Sequence, residues 1–184
     1  MICIIQSRMS SKRLPNKALK PLGGKNILER VVLSLQKSKK ITNIIVATSK
    51  SRSDDPIETF CKKKRIKYYR GALKNVYQRF YKLIKSLEIK SFVRVTGDSP
   101  LLDYKIVEKG INIFRKGSFD IVTNTLQRSY PQGQSIEIIS TKTFCSIKKK
   151  IIKNEYKEHI TKYFYDNKNK FKIKNFLYKK ILFI

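Results

Sequence analysis

The residues with the clearest chemistry lie in a basic loop that follows the first apolar run of the chain. The loop reads QSRMSSKRLPNK, and Arg8, Arg13 and Lys17 give it cationic side chains. Ser10 and Ser11 add hydroxyls and backbone N–H groups, and this combination is suited to cradling a phosphate chain. The loop is neither a Walker A motif nor a GxGxxG fingerprint. A solvated surface loop with no ligand is the alternative interpretation.

A second candidate lies in the stretch TGDSPLLD, where Asp98 follows Gly97. The glycine can turn the chain, so that the carboxylate of Asp98 would face the basic loop across a crevice. Mg²⁺ in nucleotide sites takes one or two carboxylates together with phosphate oxygens, which makes Asp98 a candidate metal ligand. A lone aspartate in a turn is usually a turn former or a helix cap, and this alternative stays open.

The hydrophobic pattern predicts the scaffold that must bring these residues together. Buried strands are predicted over 2–5, 43–48, 66–70, 91–96 and 119–124. Helices are predicted over 27–38, 54–65, 74–87 and 104–115. Strands alternating with helices at this spacing indicate an α/β fold, a three-layer α/β/α arrangement around a mainly parallel sheet. Ligands of such sheets bind outside the carboxyl ends of the strands, so the loops after Ile5, Thr48 and Thr96 should converge on one crevice.

The pattern changes in the last third of the chain. YPQGQSIEII predicts an extended strand entered through a turn, and EYKEHITKYFYDN predicts a helix that carries aromatic residues. No linker or low-complexity segment separates this part from the rest. We therefore expect one domain over 1–184, with a nucleotide-binding part at about 1–125 and an acceptor-side part at about 126–184.

The charge of the chain raises a different class of function. A formal net charge of +29 suggests nucleic-acid binding. However, 32 of the 42 basic residues are lysines, and they are spread along the chain without a repeat or a basic tail. A solvated, lysine-rich surface with no specific nucleic-acid partner is the favoured interpretation.

The apolar segments and the cysteines bear on location and redox chemistry. Met1 opens directly into the short run ICII, and the chain contains no long uncharged apolar segment, so a cytoplasmic protein with no membrane partner is expected. Cys3, Cys61 and Cys145 are odd in number and far apart. This spacing suits neither a disulfide framework nor a paired metal site, so buried thiols are expected.

Several segments together resemble a known family. IIQSRMSSKRLPNKALKPLGGK, IIVATS, DDPIETFCKKKRIKYYRGALKNVYQRFY and VRVTGDSPLLD are similar, in order and spacing, to the cytidylyltransferase family of the spore-coat polysaccharide biosynthesis protein SpsF. That family is related to the synthetases that activate acylneuraminate and keto-deoxyoctulosonate as CMP-sugars. The resemblance covers essentially the whole chain and is strongest over 4–103. It implies a Rossmann-like nucleotidyltransferase fold, as in nucleotide-diphospho-sugar transferases.

The resemblance also implies roles for individual residues on the nucleotide side. The loop from Arg8 to Lys17 would bind the phosphates of CTP, with Arg13 and Lys17 in the most direct contact. Arg70 and Asn75, in RGALKNV, would help to close the nucleotide site. Asp98 would bind Mg²⁺ as cofactor, and Arg13, Lys17 and Asp98 would serve catalysis.

On the acceptor side, the resemblance implies transfer of CMP from CTP to a small sugar acid, with release of pyrophosphate, for surface polysaccharide or glycan synthesis. YPQGQSIEII and EHITKYFY are similar to acceptor-facing segments, which makes Tyr130, Glu137 and His159 the candidates for acceptor binding. A lone histidine in an aromatic helix is more often a packed core residue. Association into a homodimer is left open.

The chain departs from the family pattern at a few positions. Asn16 replaces a glycine, but asparagine tolerates left-handed backbone angles, so the turn can survive. Ser7 replaces an alanine and Ser135 replaces an acidic residue. The family continues past FKIKNF into a segment of the type VDTPED, whose aspartate is expected to complete the metal site, whereas the sequence ends in LYKKILFI. The alternatives are substitution by an acid such as Asp103 or Glu137, or a shortened, weakly active or inactive nucleotide-binding member.

Overall fold

A mixed seven-stranded sheet forms the centre of the computed structural model, which describes residues 1–10 and 14–178. The strands are β1 (Ile2–Gln6), β2 (Pro21–Leu22), β3 (Lys25–Asn26), β4 (Asn43–Ser49), β5 (Lys67–Gly71), β6 (Ser91–Thr96), β7 (Ile121–Thr123), β8 (Glu137–Ser140) and β9 (Ile173–Asn175). The order across the sheet is β5-β4-β1-β6-β8-β7-β9, and β2 and β3 form a separate small hairpin. Only β8 runs antiparallel to its neighbours in this sheet, so the expected mainly parallel sheet is confirmed.

Helices cover both faces of the sheet. They are α1 (Ile27–Gln36), α2 (Asp55–Lys63), α3 (Val76–Ser86), α4 (Tyr104–Lys116), α5 (Thr141–Ser146), α6 (Asn154–Glu158) and α7 (Lys162–Asp166). Side chains alternate between the two faces of a strand, so Cys3 and Ile5 pack with α1, α2 and α4, while Ile4 packs with α3, α5 and α7. The predicted three-layer α/β architecture is confirmed.

Local side-chain caps explain where three of the helices begin. Asn26 accepts a hydrogen bond from the Glu29 N–H at 2.7 Å at the start of α1. Asn75 accepts one from the Gln78 N–H at 2.8 Å at the start of α3. Asp103 caps α4 in the same way. Each cap satisfies a backbone donor that the first turn of a helix leaves without a partner.

One predicted helix is divided into two in the structure. The single helix predicted over 155–167 is wrong, because α6 ends at Glu158 and α7 begins only at Lys162. His159 leaves the helical region with ψ 83°, and the next residue, Ile160, is fully buried. The interruption thus places an apolar side chain in the core and leaves His159 exposed.

The three cysteines are free thiols, and two of them are buried. Cys3 and Cys61 are buried free thiols, as expected, and burial raises the pKa of Cys61 to about 12. Cys145 is free but only half-buried. No helix in the described part of the chain is long and apolar enough to cross a membrane.

Candidate active site

A cleft of about 400 Å³ lies at the carboxyl ends of β1 and β6. It is lined by the end of β1 and the loop after it, by the loop after β6, and by the end of α6. The lining residues are Gln6, Ser7, Arg8, Ser10, Lys17, Ala18, Thr96, Gly97, Asp98 and Glu158. The basic loop and Asp98 therefore share one crevice, at the edge of the sheet where ligands of α/β folds bind.

Close approach of two loops forms the floor of the cleft. The Gly97 N–H donates to the Gln6 carbonyl at 2.8 Å. A Cβ atom at Gly97 would lie only 2.9 Å from the Cβ of Ser7, so the position requires glycine. The glycine that the sequence suggested as a turn former thus lets the β6 loop lie against the β1 loop.

One side of the cleft carries an ion pair between Lys17 and Asp98. The Lys17 Nζ lies 3.1 Å from the Asp98 Oδ2, and the two side chains are 33% and 51% exposed. Lys17 follows Asn16, which has φ 59° in the left-handed region, as the substitution for glycine suggested. Burial opposes ionisation of Asp98, but hydrogen bonds from Lys17 and Thr96 outweigh it, so the pKa of Asp98 lies below its ordinary value.

The other side carries a second ion pair, between Arg8 and Glu158. The Arg8 Nη2 donates to the Glu158 Oε1, and the two side chains are 34% and 45% exposed. Glu158 is the last residue of α6, a helix that packs against α3. The sequence pattern singled out the neighbouring His159 and missed Glu158.

A buried aspartate, Asp54, holds the loop after β1 in place. Asp54 is fully buried and accepts hydrogen bonds from the Met9 N–H at 2.7 Å, from the Ser49 N–H at 3.1 Å and from the Ser49 hydroxyl. It joins the loop after β1 to the loop after β4. The Asp54 side chain makes no capping hydrogen bond to α2. The Asp54 side chain instead positions the backbone of the loop after β1, the basic loop that is the candidate phosphate-binding loop.

Arg79 is a second buried polar residue that the sequence did not reveal, because it lies within an apolar helical pattern. Its guanidinium donates to the carbonyls of Ala47, Ala72 and Leu73 at 2.8–3.3 Å. Burial lowers the pKa of Arg79 to about 10, although the negative charge of Asp54 opposes this shift. Arg79 therefore ties the end of β4 to the loop after β5.

The structure places three of the seven predicted nucleotide-binding residues at the cleft. Arg8, Ser10 and Lys17 line the cleft. Ser11 and Arg13 lie outside the described residues. Arg70 and Asn75 are not among the lining residues. The Arg70 guanidinium donates to the Ser49 and Ser51 carbonyls at 2.8 and 2.9 Å and pairs with Asp55 and Glu58, whereas Asn75 caps α3.

The three predicted acceptor residues lie apart from one another. Tyr130 accepts a hydrogen bond from Lys109 at 3.0 Å and lines a different surface groove. Glu137 is buried in β8, where it pairs with Arg94 and accepts a hydrogen bond from the Tyr165 hydroxyl at 2.6 Å. Burial, together with the negative charge of Glu137, raises the pKa of Tyr165. None of the three lines the cleft, and their acceptor roles stay predictions.

The donor chemistry at the cleft fits Mg²⁺. Asp98 offers a half-exposed carboxylate, the hard oxygen ligand that this ion prefers, next to open volume in which phosphate oxygens and waters can complete the shell. Within 1–10 and 14–178, no group of three or more histidine, cysteine or acidic residues is placed to hold a metal. Asp98 is therefore a residue of this cleft that could hold an ion arriving with a nucleotide.

Comparison with solved structures assigns the fold to the nucleotidyltransferase class. A cytidylyltransferase from Leptospira borgpetersenii serovar Hardjo-bovis superposes with a TM-score of 0.91 at 32% identity, over 97% of this chain and 76% of that chain. A family model described as cytidylyltransferase matches residues 2–183. The chain belongs to this cytidylyltransferase family.

Two curated relatives are similar to this chain in sequence. The spore coat polysaccharide biosynthesis protein SpsF of Bacillus subtilis is 32% identical over 170 residues, which are 89% of this chain and 69% of that protein. An 8-amino-3,8-dideoxy-manno-octulosonate cytidylyltransferase of Shewanella sp. (strain W3-18-1) is 33% identical over 128 residues. That match covers 67% of this chain and 51% of the relative, so the chain matches about half of that enzyme's length.

Proposed function

We propose that this protein transfers CMP from CTP to a sugar acid and releases pyrophosphate. The observation that carries the proposal is the placement of Arg8, Lys17 and Asp98 around one cleft at the carboxyl ends of β1 and β6. Two cations and a carboxylate at this edge of the sheet suit a triphosphate, and membership of the cytidylyltransferase family supports CTP as that triphosphate.

The reaction needs alignment and charge neutralisation more than covalent catalysis. An acceptor hydroxyl attacks the α-phosphorus of CTP and releases its proton to water, the bond from that phosphorus to the bridging oxygen breaks, and pyrophosphate leaves with the electron pair of that bond. Arg8 and Lys17 would hold the phosphates and offset the charge on the leaving group, and Ser10 would add a hydroxyl donor. Arg13 has the same proposed role by resemblance to the family.

Asp98 is the proposed Mg²⁺ ligand. When bound there, the ion would supply additional neutralisation of phosphate charge. Because Asp98 is paired with Lys17 at 3.1 Å, its carboxylate has to exchange partners when the nucleotide arrives.

A sugar acid is the proposed acceptor because the Shewanella relative carries such a substrate in its name. A role in surface polysaccharide or glycan synthesis is proposed on the same basis from the relative in Bacillus subtilis. Tyr130, Glu137 and His159 stay candidates for acceptor binding. Of these, Glu137 is buried and forms an ion pair with Arg94.

The test has two stages, binding and turnover. Calorimetric titration with CTP, ATP and GTP, each with and without Mg²⁺, should give Mg²⁺-dependent binding with a preference for CTP. A coupled pyrophosphate assay with CTP and keto-sugar acids, such as keto-deoxyoctulosonate or its 8-amino analogue, then measures transfer. Equal affinity for all three triphosphates would contradict the cytidylyl assignment, and CTP binding without pyrophosphate release would favour the inactive nucleotide-binding alternative.

A further inference from the structure

Among its described lining residues the cleft is electrically balanced, although the chain as a whole is strongly basic. The formal net charge is +29, but the charged side chains among the described lining residues are two cations and two carboxylates. Each cation is paired with a carboxylate across the cleft: Lys17 with Asp98 and Arg8 with Glu158. Without nucleotide, these groups that would hold phosphate already have acidic partners.

The two carboxylates differ in what they would do once nucleotide enters. Asp98 lies in the β6 loop and is suited to a metal ion, as argued above. Glu158 comes from a different part of the fold, 150 positions from Arg8, and reaches the cleft at the end of a short helix. It lies beside the guanidinium that would otherwise form charge-assisted bonds to a phosphate.

The local packing keeps Glu158 at this position. Tyr156 stacks edge to face on Tyr163 with ring centroids 5.3 Å apart, and Ile160 is fully buried two residues after Glu158. The His159 N–H donates to the Glu155 carbonyl at 2.8 Å and closes the last turn. Glu158 is therefore held between two anchored neighbours and is not a freely moving surface acid.

We propose that Glu158 makes the phosphate site selective for metal-bound over metal-free polyphosphate. A metal-free triphosphate in the cleft lies beside the carboxylate of Glu158 as well as beside Arg8, and the two negative charges repel each other. A triphosphate that carries a divalent cation has less negative charge, so the repulsion is smaller. Glu158 thereby discriminates against nucleotide or pyrophosphate without metal, and this proposal rests on the proposed function of the cleft.

The variant that tests this is Glu158→Gln, which removes the charge and keeps the shape. A half-exposed ion pair is worth up to about 1 kcal/mol, which corresponds to a factor of about five in affinity. We expect Glu158→Gln to bind CTP in EDTA, and metal-free pyrophosphate, about three- to five-fold more tightly than the unsubstituted chain. Binding of CTP with saturating Mg²⁺ should change by less than about two-fold.

A matched control and a double substitution separate this effect from a general change of charge. Glu155→Gln removes an acid from the same helix, but Glu155 lies near Lys162 at 3.4 Å and not in the cleft, so metal-free binding should stay unchanged. In an Arg8→Gln background, Glu158→Gln should still tighten metal-free binding, because the carboxylate of Glu158 repels the ligand directly.

The outcomes distinguish this inference from the proposed function. If the unsubstituted chain fails to bind CTP with Mg²⁺, the proposed function fails. If it binds CTP with Mg²⁺, but Glu158→Gln leaves metal-free binding unchanged or weakens it, the role of Glu158 is wrong while the proposed function stands. Equal gains in the presence and absence of Mg²⁺ would also overturn the role, because they would indicate a non-selective electrostatic effect.

Discussion

At the residue scale, the cleft depends on a few charged side chains whose partners are defined. Lys17 and Arg8 are only partly exposed, and each holds a carboxylate in the unliganded protein. In the proposed function a nucleotide phosphate would replace these partners, so the measured gain from each cation would be a difference between two charge-assisted contacts. The energetic consequences of substitution therefore fall on binding more than on folding.

Replacement of Lys17 by alanine tests this view directly. Loss of a charge-assisted hydrogen bond should weaken binding of CTP with Mg²⁺ by roughly 1.5–3 kcal/mol. The free energy of unfolding should change by less than about 0.5 kcal/mol, since the side chain is a partly exposed loop group. Calorimetric titration and urea unfolding measure the two quantities. Lys20→Ala, an exposed lysine outside the lining of the cleft, should bind CTP normally.

If Lys17→Ala unfolded early and still bound CTP with full affinity, Lys17 would be a structural residue of the loop. Such a result would favour the alternative interpretation, in which the basic loop has no ligand.

Substitution of Asp54 is expected to reduce the free energy of unfolding more than it reduces CTP binding. Asp54→Ala leaves the buried N–H groups of Met9 and Ser49 without their acceptor, and an unsatisfied buried donor costs about 1–3 kcal/mol. Urea unfolding should therefore show a loss of roughly 2–5 kcal/mol. Asp55→Ala, which removes a half-exposed neighbouring acid, should lose no more than about 1 kcal/mol. Similar losses for both variants would contradict the role of Asp54.

At the element scale, β5 is linked to α2 by a cluster of charges. Glu58 on α2 accepts hydrogen bonds from Lys62, Arg70 and Tyr68, which lower its pKa from 4.5 to about 2. Arg70 also donates to two carbonyls of the β4–α2 loop, so it fastens β5 to the loop and helix that follow β4. The observed contacts of Arg70 thus hold elements together, and its predicted role at the nucleotide site stays a prediction.

The depressed pKa of Glu58 leads to a pH dependence of stability. A carboxylate with a lower pKa in the folded state contributes stability above its unfolded pKa and loses it as the pH falls. The contribution of Glu58 should therefore decline between pH 4.5 and about 2. Urea unfolding at several pH values should show a shallower decline in this window for Glu58→Gln. Glu88→Gln, at an exposed position, should follow the unsubstituted protein; identical profiles for all three would contradict this link.

At the scale of the whole molecule, the strong positive charge and the balanced cleft are separate properties. Surface lysines attract any polyanion through the screened long-range field, whereas a nucleotide in the cleft would be held by directed contacts at short range. The net charge of +29 therefore does not by itself indicate a nucleic-acid-binding function.

The dependence on salt concentration should distinguish non-specific binding of polyanions from binding of CTP in the cleft. We expect binding of a short labelled DNA duplex to fall steeply between about 50 and 200 mM salt, because it depends on release of counterions. Binding of CTP with Mg²⁺ should fall less over the same range, since the charges in the cleft are partly shielded from solvent. Fluorescence anisotropy and calorimetry provide the measurements. Competition between the duplex and CTP at high salt would instead indicate that DNA occupies the cleft.

The sequence by itself determined the features that depend on neighbouring residues. The periodicity of apolar residues predicted the helices α1 to α4 and the strands β1 and β4 to β7, because burial of one face imposes that spacing locally. The edge strand β9 was not predicted. Asn16 was expected to tolerate left-handed angles, and it has φ 59°. The basic loop and Asp98 were placed at one crevice because parallel strands end at the same edge of a sheet.

Which charged groups are in contact depends on the tertiary structure and could not be predicted from the sequence. The Arg8–Glu158 pair joins residues 150 positions apart, and it depends on the break after α6 that buries Ile160. No local pattern distinguishes Glu158 from the exposed His159 beside it, because the direction of each side chain follows from how α6 packs on α3. Arg70 likewise takes its partners from the loop after β4 and from α2. Such contacts are products of packing between distant segments, which local preferences of the backbone do not encode.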